Sequence, residues 1–185
     1  MLILASKSPQ REKILKKMGI KFKIVPSNID ENSGGLKKPH AIAKHIALQK
    51  ALAISKAHTN DWIIGCDTFV ILSDGTLSIK PKDRADAKKT INLYRDSHCD
   101  VYSGLALMNK SLKKRFVGYE KTRLHFSDFS DANIEEYLNS GEWKNRSGSM
   151  TIEGRGGKWV HKIEGCYWNV VGLPVELLKR FLKEI

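Results

Sequence analysis

Hydrophobic residues recur along the whole chain at strand and helix spacings, separated by polar segments that contain glycine. Apolar runs and apolar–polar alternation predict strands at residues 2–5, 22–26, 62–64, 69–72, 77–79, 101–108, 115–126 and 158–163. Apolar positions three and four apart predict helices at residues 9–18, 40–57, 85–94, 134–139 and 174–184. Because strands and helices are mixed along the whole chain, the pattern indicates an α/β fold.

Several polar residues mark the ends of the predicted helices. Ser8 is a suitable N-cap before Pro9, which suits the first helical position, and Gly19 ends that helix. Asp131 is predicted to cap the helix that ends at Gly141. Residues 28–39 are polar and contain two glycines, so they are predicted to form a loop.

The apolar segment of residues 62–72 is interrupted by Gly65-Cys66-Asp67-Thr68. We therefore expect a strand broken by a polar pair, with Asp67 at a strand end. A buried acidic residue is costly unless it meets a metal, a cation or water. The Ser73-Asp74-Gly75 sequence that follows predicts a hairpin turn.

One lysine interrupts the apolar face of the predicted helix at residues 40–57. At 100° per residue, Lys50 lies near the middle of the apolar arc. Such a lysine either extends its ammonium group to solvent or directs it at an anion.

The chain has 185 residues, of which 41% are hydrophobic and 28% charged, enough for one compact domain or two tightly joined lobes. No apolar run approaches the roughly 20 residues of a membrane helix, and the N-terminal apolar run is too short for a signal peptide. Cys66, Cys99 and Cys166 form no CxxC pair, which is typical of reduced thiols. Membrane, collagen-like, coiled-coil and disulfide-framework classes are excluded, and a cytoplasmic protein is expected.

The net charge of +12 suggests an anionic partner but does not identify it. The basic residues are spread along the chain, without a nucleic-acid-binding signature. The excess reflects either the composition of the source proteome or attraction to an anionic partner such as a nucleotide.

The residues Ser6 to Arg11 lie where a strand ends and a helix begins. A helix N-terminus offers free N–H groups and the positive end of the helix dipole. Ser6, Ser8 and Arg11 could therefore hold phosphate, although Ser8 could equally be a cap alone.

Two acidic and two basic side chains complete a candidate anion and metal site. Asp67 and Glu31 would form a sparse oxygen site suited to Mg²⁺ or Mn²⁺. Lys80 precedes Pro81, which favours extended backbone, and with Lys50 it could neutralise a polyphosphate.

Separated sequence blocks, in order, resemble the Maf family of nucleoside triphosphate pyrophosphatases nearly end to end. The blocks are LILASKSPQREKIL, Ile29-Asp30-Glu31, Lys50-Ala51, Gly65-Cys66-Asp67-Thr68, Lys80-Pro81-Lys82-Asp83, Val101-Tyr102-Ser103-Gly104, Gly141-Glu142, Ile163-Glu164-Gly165 and Asn169-Val170-Val171-Gly172-Leu173-Pro174. The resemblance implies one domain over residues 1–185 with an elongated mixed β-sheet, flanking helices, two lobes and a central cleft, as in inosine triphosphatase-like folds. It also implies a homodimer.

The resemblance further implies a reaction and a site. A nucleoside triphosphate and water would give the monophosphate and pyrophosphate, with a divalent cation (Mg²⁺, Mn²⁺ or Co²⁺), in a house-cleaning role that removes modified or unwanted nucleotides. Asp67 would be the catalytic base, and Glu31 would join it at the metal. The remaining implied residues are Ser6, Ser8, Arg11, Lys50 and Lys80 for phosphate, and Gln10, Thr68 and Glu153 for base specificity.

This chain departs from the family pattern at a few positions. Gln10 replaces the first of two arginines, and Asn145-Arg146 replaces an Asp-Lys pair. Thr68 matches the dTTP/UTP-preferring branch, whereas Glu153 matches the 7-methyl-GTP branch. The departures motivate an alternative: a weakly active or inactive nucleotide- or nucleic-acid-binding regulator linked to cell-division arrest and septum formation. Retention of Asp67, Lys50 and Lys80 favours the enzyme, and nucleic acid is the less favoured partner.

Overall fold

The computed structural model describes all 185 residues and has a mixed α/β fold with a seven-stranded sheet and helices. The strands are β1 (Leu2–Leu4), β2 (Lys23–Ile24), β3 (Trp62–Leu72), β4 (Leu77–Ser78), β5 (His98–Asn109), β6 (Lys114–Phe126) and β7 (Val160–Glu164). The α-helices are α1 (Pro9–Lys17), α2 (Pro39–Ser55), α3 (Arg84–Asn92), α4 (Asp131–Ser140), α5 (Tyr167–Val171) and α6 (Val175–Leu182). This confirms the predicted α/β class.

The order of strands in the sheet is β2-β1-β3-β5-β6-β7, and β4 pairs with β3. Strand β1 runs parallel to both β2 and β3. The β3–β4 and β6–β7 pairs are antiparallel. Parallel and antiparallel pairing in one sheet makes it a mixed sheet, as predicted.

The chain divides into two compact units. The first comprises Met1–Thr68, Tyr102–Glu120 and Gly172–Ile185, and the second comprises Phe69–Val101 and Lys121–Val171. Strands β3, β5 and β6 therefore contribute residues to both units.

The first unit has its core where α2 packs on the sheet. Apolar side chains from β1, α2, β3 and β5 form this core. Helix α2 approaches β3 and β5 so closely that a Cβ at Gly65 or Gly104 would overlap a helix carbonyl oxygen. Because this approach fixes the height of α2 above the sheet, it also fixes where Lys50 on α2 lies.

The second unit has an aromatic-rich core. Phe126 stacks on the ring of Tyr94, whose hydroxyl donates to the Gly148 carbonyl at 2.8 Å. The Tyr137 hydroxyl accepts a hydrogen bond from the Thr151 backbone. Burial raises the pKa of Tyr94 well above its usual value, so its hydroxyl stays protonated as a donor. The two tyrosines thereby fix the glycine- and serine-rich segment after α4.

Several predicted boundaries need correction. Strand β3 is continuous, because the polar groups of Asp67 and Thr68 find partners inside the protein. Helix α4 is capped by Ser130 in a capping box, so Asp131 is its first residue rather than its cap. Two short 3-10 helices, Ser147–Ser149 and Arg155–Trp159, follow α4, and α5 was not predicted.

Candidate functional site

Asp67 lies inside β3 and is paired with a lysine from α2. Only 9% of the Asp67 side chain and 7% of the Lys50 side chain are exposed, and Lys50 Nζ donates to Asp67 Oδ1 at 2.7 Å. A buried carboxylate needs such a partner because desolvation otherwise disfavours its charge. Of the two alternatives for Lys50, the ammonium group directed at an anion is the one observed, and the anion is Asp67.

Glu31 reaches the same ammonium group from the loop before α2. Its Oε1 lies 2.8 Å from Lys50 Nζ, although 56% of the Glu31 side chain is exposed. The Lys50 ammonium therefore contacts two carboxylates, one buried and one facing solvent. The structure thus brings three of the predicted site residues into direct contact.

A second polar cluster surrounds Arg11, which is 8% exposed. Its Nε donates to the Gly172 carbonyl at 2.9 Å, its Nη1 donates to Ser6 Oγ at 2.9 Å and its Nη2 donates to Thr68 Oγ1 at 3.2 Å. Three of the five guanidinium N–H groups are therefore used inside the protein. Two remain for any further acceptor.

The Thr68 hydroxyl belongs to this second cluster. It lies 2.8 Å from Ser103 Oγ and 3.2 Å from the Gly172 carbonyl oxygen, in addition to Arg11. A hydroxyl has one donor and two acceptor positions, so these three partners can occupy all of them. The role of Thr68 in base specificity stays a prediction.

The two clusters lie on opposite faces of β3. Successive side chains of a strand point to opposite faces, so Asp67 points towards α2 and Thr68 points away from it. The Cys66 thiol, on the Thr68 face, lies 3.5 Å from the Gly172 carbonyl oxygen. Burial raises the pKa of this thiol, which makes it unreactive as a thiolate.

The N-terminus of α1 carries two more of the predicted residues. Ser8 is the N-cap, as predicted, and its side chain accepts from the Arg11 backbone N–H. The Ser8 backbone N–H donates to Ser6 Oγ at 3.2 Å. Gln10 lies in the first turn and is partly exposed. The structure thus links Ser6, Ser8 and Arg11, and their role in phosphate binding stays a prediction.

Two predicted residues belong to the second unit. Lys80 is exposed after β4, and Glu153 is exposed between the two 3-10 helices. Burial is the larger cause that raises the pKa of Tyr167, and the nearby Glu153 carboxylate raises it further. Asn145, at one of the departures from the family pattern, has φ of 60°, a left-handed conformation that asparagine tolerates better than most residues. The roles of Lys80 and Glu153 stay predictions.

Gly172 and Ser103 belong to the second polar cluster although neither was predicted as a site residue. Both belong to sequence blocks that carry the resemblance. Gly172, however, takes part through its backbone carbonyl, which every residue type has, so its identity does not predict the contact. Their contacts with Arg11 and Thr68 join segments far apart in the chain, which periodicity alone does not bring together.

The two carboxylates around Lys50 fit a divalent cation whose remaining ligands are water and substrate phosphates. No group of three or more histidine, cysteine, aspartate and glutamate side chains in the structure is arranged to hold a metal ion. Mg²⁺, however, is commonly held by one or two carboxylates together with water and substrate phosphates. Asp67 and Glu31, which share the Lys50 ammonium, are such a pair of hard oxygen donors.

None of the helices is both long enough and apolar enough to span a membrane.

A family model described as Maf-like protein matches residues 1–185. The relatives found include the dTTP/UTP pyrophosphatase of Elusimicrobium minutum, 37% identical and covering 99% of this chain and 97% of the relative. The dTTP/UTP pyrophosphatase of Dictyoglomus turgidum is 39% identical and covers 97% of this chain and 95% of the relative.

Solved structures with the same fold are more distant in sequence. The Ham1 protein of Staphylococcus aureus superposes with a TM-score of 0.55 at 14% identity, over 99% of this chain and 98% of that chain. A HAM1 protein from Coxiella burnetii gives a TM-score of 0.51 at 11% identity, over 100% of this chain and 98% of that chain. At these identities the similarity supports the fold alone.

Proposed function

This chain belongs to the Maf-like protein family, and from that premise we propose that it is a nucleoside triphosphate pyrophosphatase. Relatives that cover nearly the whole chain at 37–39% identity are named dTTP/UTP pyrophosphatases. We propose that dTTP and UTP are its substrates. The structural observation that carries the proposal is the buried Asp67 carboxylate in the middle of β3, held by Lys50.

In the proposed reaction, water attacks the α-phosphorus of the nucleotide. The bond from this phosphorus to the oxygen that bridges it to the β-phosphorus breaks, and pyrophosphate leaves with the bonding electrons. Asp67 orients the attacking water and accepts its proton, which is the work of a general base. Of the two Asp67 carboxylate oxygens, Lys50 contacts only Oδ1 in the nucleotide-free protein, so the second carboxylate oxygen can serve as the acceptor.

We propose that Ser6, Ser8 and Arg11 bind phosphate at the N-terminus of α1. The supporting features are the two serine side chains at the strand–helix junction and the two guanidinium N–H groups that Arg11 does not use within the protein. The positive end of the helix dipole adds to the attraction for an anion.

We also propose that Asp67 and Glu31 hold a divalent cation, Mg²⁺, Mn²⁺ or Co²⁺. Such a cation, when bound, would neutralise charge that develops on the phosphate oxygens. Both side chains are carboxylates, the ligand type that these hard cations prefer. Titration of the enzyme with each metal after chelation, with pyrophosphate release as the readout, tests the requirement.

Substitution of Asp67 tests the proposed activity. We expect Asp67→Asn to lower kcat by about 10² to 10⁴-fold, because general-base catalysis contributes that much, and to leave KM within a few-fold. The measurement is pyrophosphate release from dTTP, UTP, CTP, GTP and 7-methyl-GTP. Asp30→Asn is the matched control, since Asp30 is an exposed acid on the Glu31 loop. A wild-type kcat in the Asp67→Asn enzyme would reject the assignment.

Three further proposals rest on the family resemblance: that the protein is a homodimer, that it is cytoplasmic, and that it removes modified or unwanted nucleotides. Light scattering tests the first, because it distinguishes the mass of two chains from that of one. Cell fractionation tests the second, and turnover of modified pyrimidine triphosphates tests the third.

A further inference from the structure

Lys50 lies between the two carboxylates that are proposed to hold the metal. Its Nζ is 2.7 Å from Asp67 Oδ1 and 2.8 Å from Glu31 Oε1. The two oxygens can therefore lie no farther apart than these two distances together. A cation coordinated by both oxygens at about 2.0–2.1 Å would therefore lie within about 5 Å of the ammonium nitrogen.

The two cations therefore compete for the same oxygens. Mg²⁺ binds oxygen at about 2.0–2.1 Å, so a metal on this pair would lie within a few ångströms of an undisplaced ammonium group. Like charges at that separation repel strongly where solvent is largely excluded, and both Lys50 and Asp67 are largely buried.

The balance of charge indicates what relieves this competition. Two carboxylates and one ammonium group leave a single negative charge, and a divalent cation alone would reverse its sign. A triphosphate supplies several negative charges and offers the ammonium group new oxygen partners. The lysine side chain, a flexible four-carbon stem, can swing its charge from the carboxylates to the phosphates.

We propose that Lys50 acts as an internal counter-cation that blocks the Asp67–Glu31 metal site until a triphosphate draws its ammonium group away. Metal binding is then coupled to nucleotide binding, and free metal is largely excluded from the empty site. This inference rests on the proposed pyrophosphatase function, because it requires a nucleotide and a divalent cation at the same site.

The test is a titration of the nucleotide-free protein with Mn²⁺. Binding is measured as the loss of the electron paramagnetic resonance signal of free Mn²⁺. Lys50→Gln should bind Mn²⁺ at least about tenfold more tightly than wild type, a difference of about 1.4 kcal/mol. Lys38→Gln is the matched control, because it removes one positive charge from an exposed position on the Glu31 loop. It should bind Mn²⁺ as wild type does. Equal affinity in all three proteins would overturn the proposal.

The Lys50→Gln variant leaves Asp67 buried without its partner, so it is expected to be less stable. The proposal then makes a second prediction, because a ligand that binds only the folded state stabilises it. Millimolar Mn²⁺ should raise the melting temperature of Lys50→Gln, or restore its folding, and should leave the melting temperature of Lys38→Gln unchanged. A Lys50→Gln protein that Mn²⁺ does not stabilise would contradict the competition.

Failure of this inference can be told apart from failure of the proposed function. Wild-type enzyme that releases pyrophosphate while Lys50→Gln gains no affinity for Mn²⁺ would overturn the counter-cation role alone. Wild-type enzyme that releases no pyrophosphate from any nucleotide would overturn the function, whatever the Mn²⁺ titration shows.

Discussion

Arg11 joins segments that are far apart in the chain through a single guanidinium group. Its three hydrogen bonds go to Ser6 after β1, Thr68 in β3 and Gly172 before α6. The planar guanidinium holds its donors in fixed directions, whereas a lysine offers one rotating ammonium group. Retaining the charge at this position therefore does not retain the cluster.

We expect Arg11→Lys to lower the free energy of unfolding by about 2–4 kcal/mol, because buried oxygens lose their donors. Urea denaturation measures the change. Arg115→Lys is the control and should fall within about 0.5 kcal/mol of wild type, since Arg115 is exposed. If both variants unfold at the same urea concentration, Arg11 does not hold the cluster together.

Residue-scale prediction from the sequence succeeded where periodicity carried the signal. The position of Lys50 within the apolar arc of α2 indicated that its ammonium group either reached solvent or met an anion, and it meets Asp67. The predicted interruption of β3 was wrong. A polar pair was expected to break the strand, but β3 is continuous. Partners on other segments satisfy both side chains, and a local pattern does not contain those partners.

At the scale of elements, α2 lies directly on the backbone of two strands. A Cβ at Gly65 would overlap the Ala47 carbonyl oxygen, and one at Gly104 would overlap that of Ala43. A Cβ at Gly118 in β6 would meet Leu177 Cδ2 at 3.1 Å, where a flexible side chain can adjust. The first two glycines are thus required by packing, and the third is not.

We expect Gly65→Ala and Gly104→Ala each to lower the free energy of unfolding by about 3 kcal/mol or more, at the upper end of overpacking effects. Gly118→Ala should lower it by about 1 kcal/mol or less. Thermal and urea unfolding of the three variants measures the difference. Similar losses in all three would show that the close approach of α2 is not what excludes a side chain.

An ion-pair cluster connects β5 and β6 within the second unit. Asp100 accepts from Arg123 Nε at 2.7 Å and Nη2 at 2.8 Å, and Lys121 Nζ lies 2.9 Å from its Oδ2. Burial opposes ionisation of Asp100, but the hydrogen bonds from Arg123 and Lys121 outweigh it and lower the pKa of the carboxyl group. The cluster therefore stabilises the fold only while Asp100 is ionised.

The lowered pKa sets the pH at which this stabilisation is lost. It is fully present above the ordinary aspartate pKa of about 3.9 and disappears as the pH falls through the lower pKa of the folded state. We expect Asp100→Asn to lower the free energy of unfolding by about 1–2 kcal/mol at pH 7, with the difference from wild type shrinking below about pH 4. Urea titrations from pH 7 to 3 measure this, with Glu184→Gln as an exposed control. A difference that stays constant with pH would contradict it.

The elements show what the sequence could predict and what it could not. Helices α1 and α2 lie within two residues of their predicted ends, because caps and periodicity are local signals. Strand β2 is only two residues long because its extent is set by pairing with Ile3 and Leu4 of β1. Helix α5 was not predicted, and its Asn169 is held by Val101 and Thr122, which are far away in the chain. The candidate site divides in the same way. The resemblance selected the residue types, whereas the two clusters on opposite faces of β3 follow from the three-dimensional structure.

At the scale of the whole molecule, the net charge of +12 acts beyond any single contact. A positive protein attracts a triphosphate from a distance and raises the rate of encounter, and salt screens this attraction over about 10 Å at 0.1 M. The contacts within the site are shorter and less affected by salt. The long-range and local contributions to substrate capture therefore differ in their dependence on ionic strength.

We expect kcat/KM for dTTP or UTP to fall several-fold as NaCl rises from about 20 to 200 mM, while kcat changes little, because screening slows the encounter rather than the chemical step. Replacing Lys110, Lys114 and Arg115, which are exposed around the β5–β6 hairpin, with glutamine removes three of the net positive charges. This variant should keep the wild-type kcat and show a weaker salt dependence of kcat/KM. The charge-preserving control, Lys110→Arg with Lys114→Arg, should behave as wild type. If kcat/KM is the same across the salt range, the basic excess reflects the composition of the source proteome, and substrate capture depends on the local site alone.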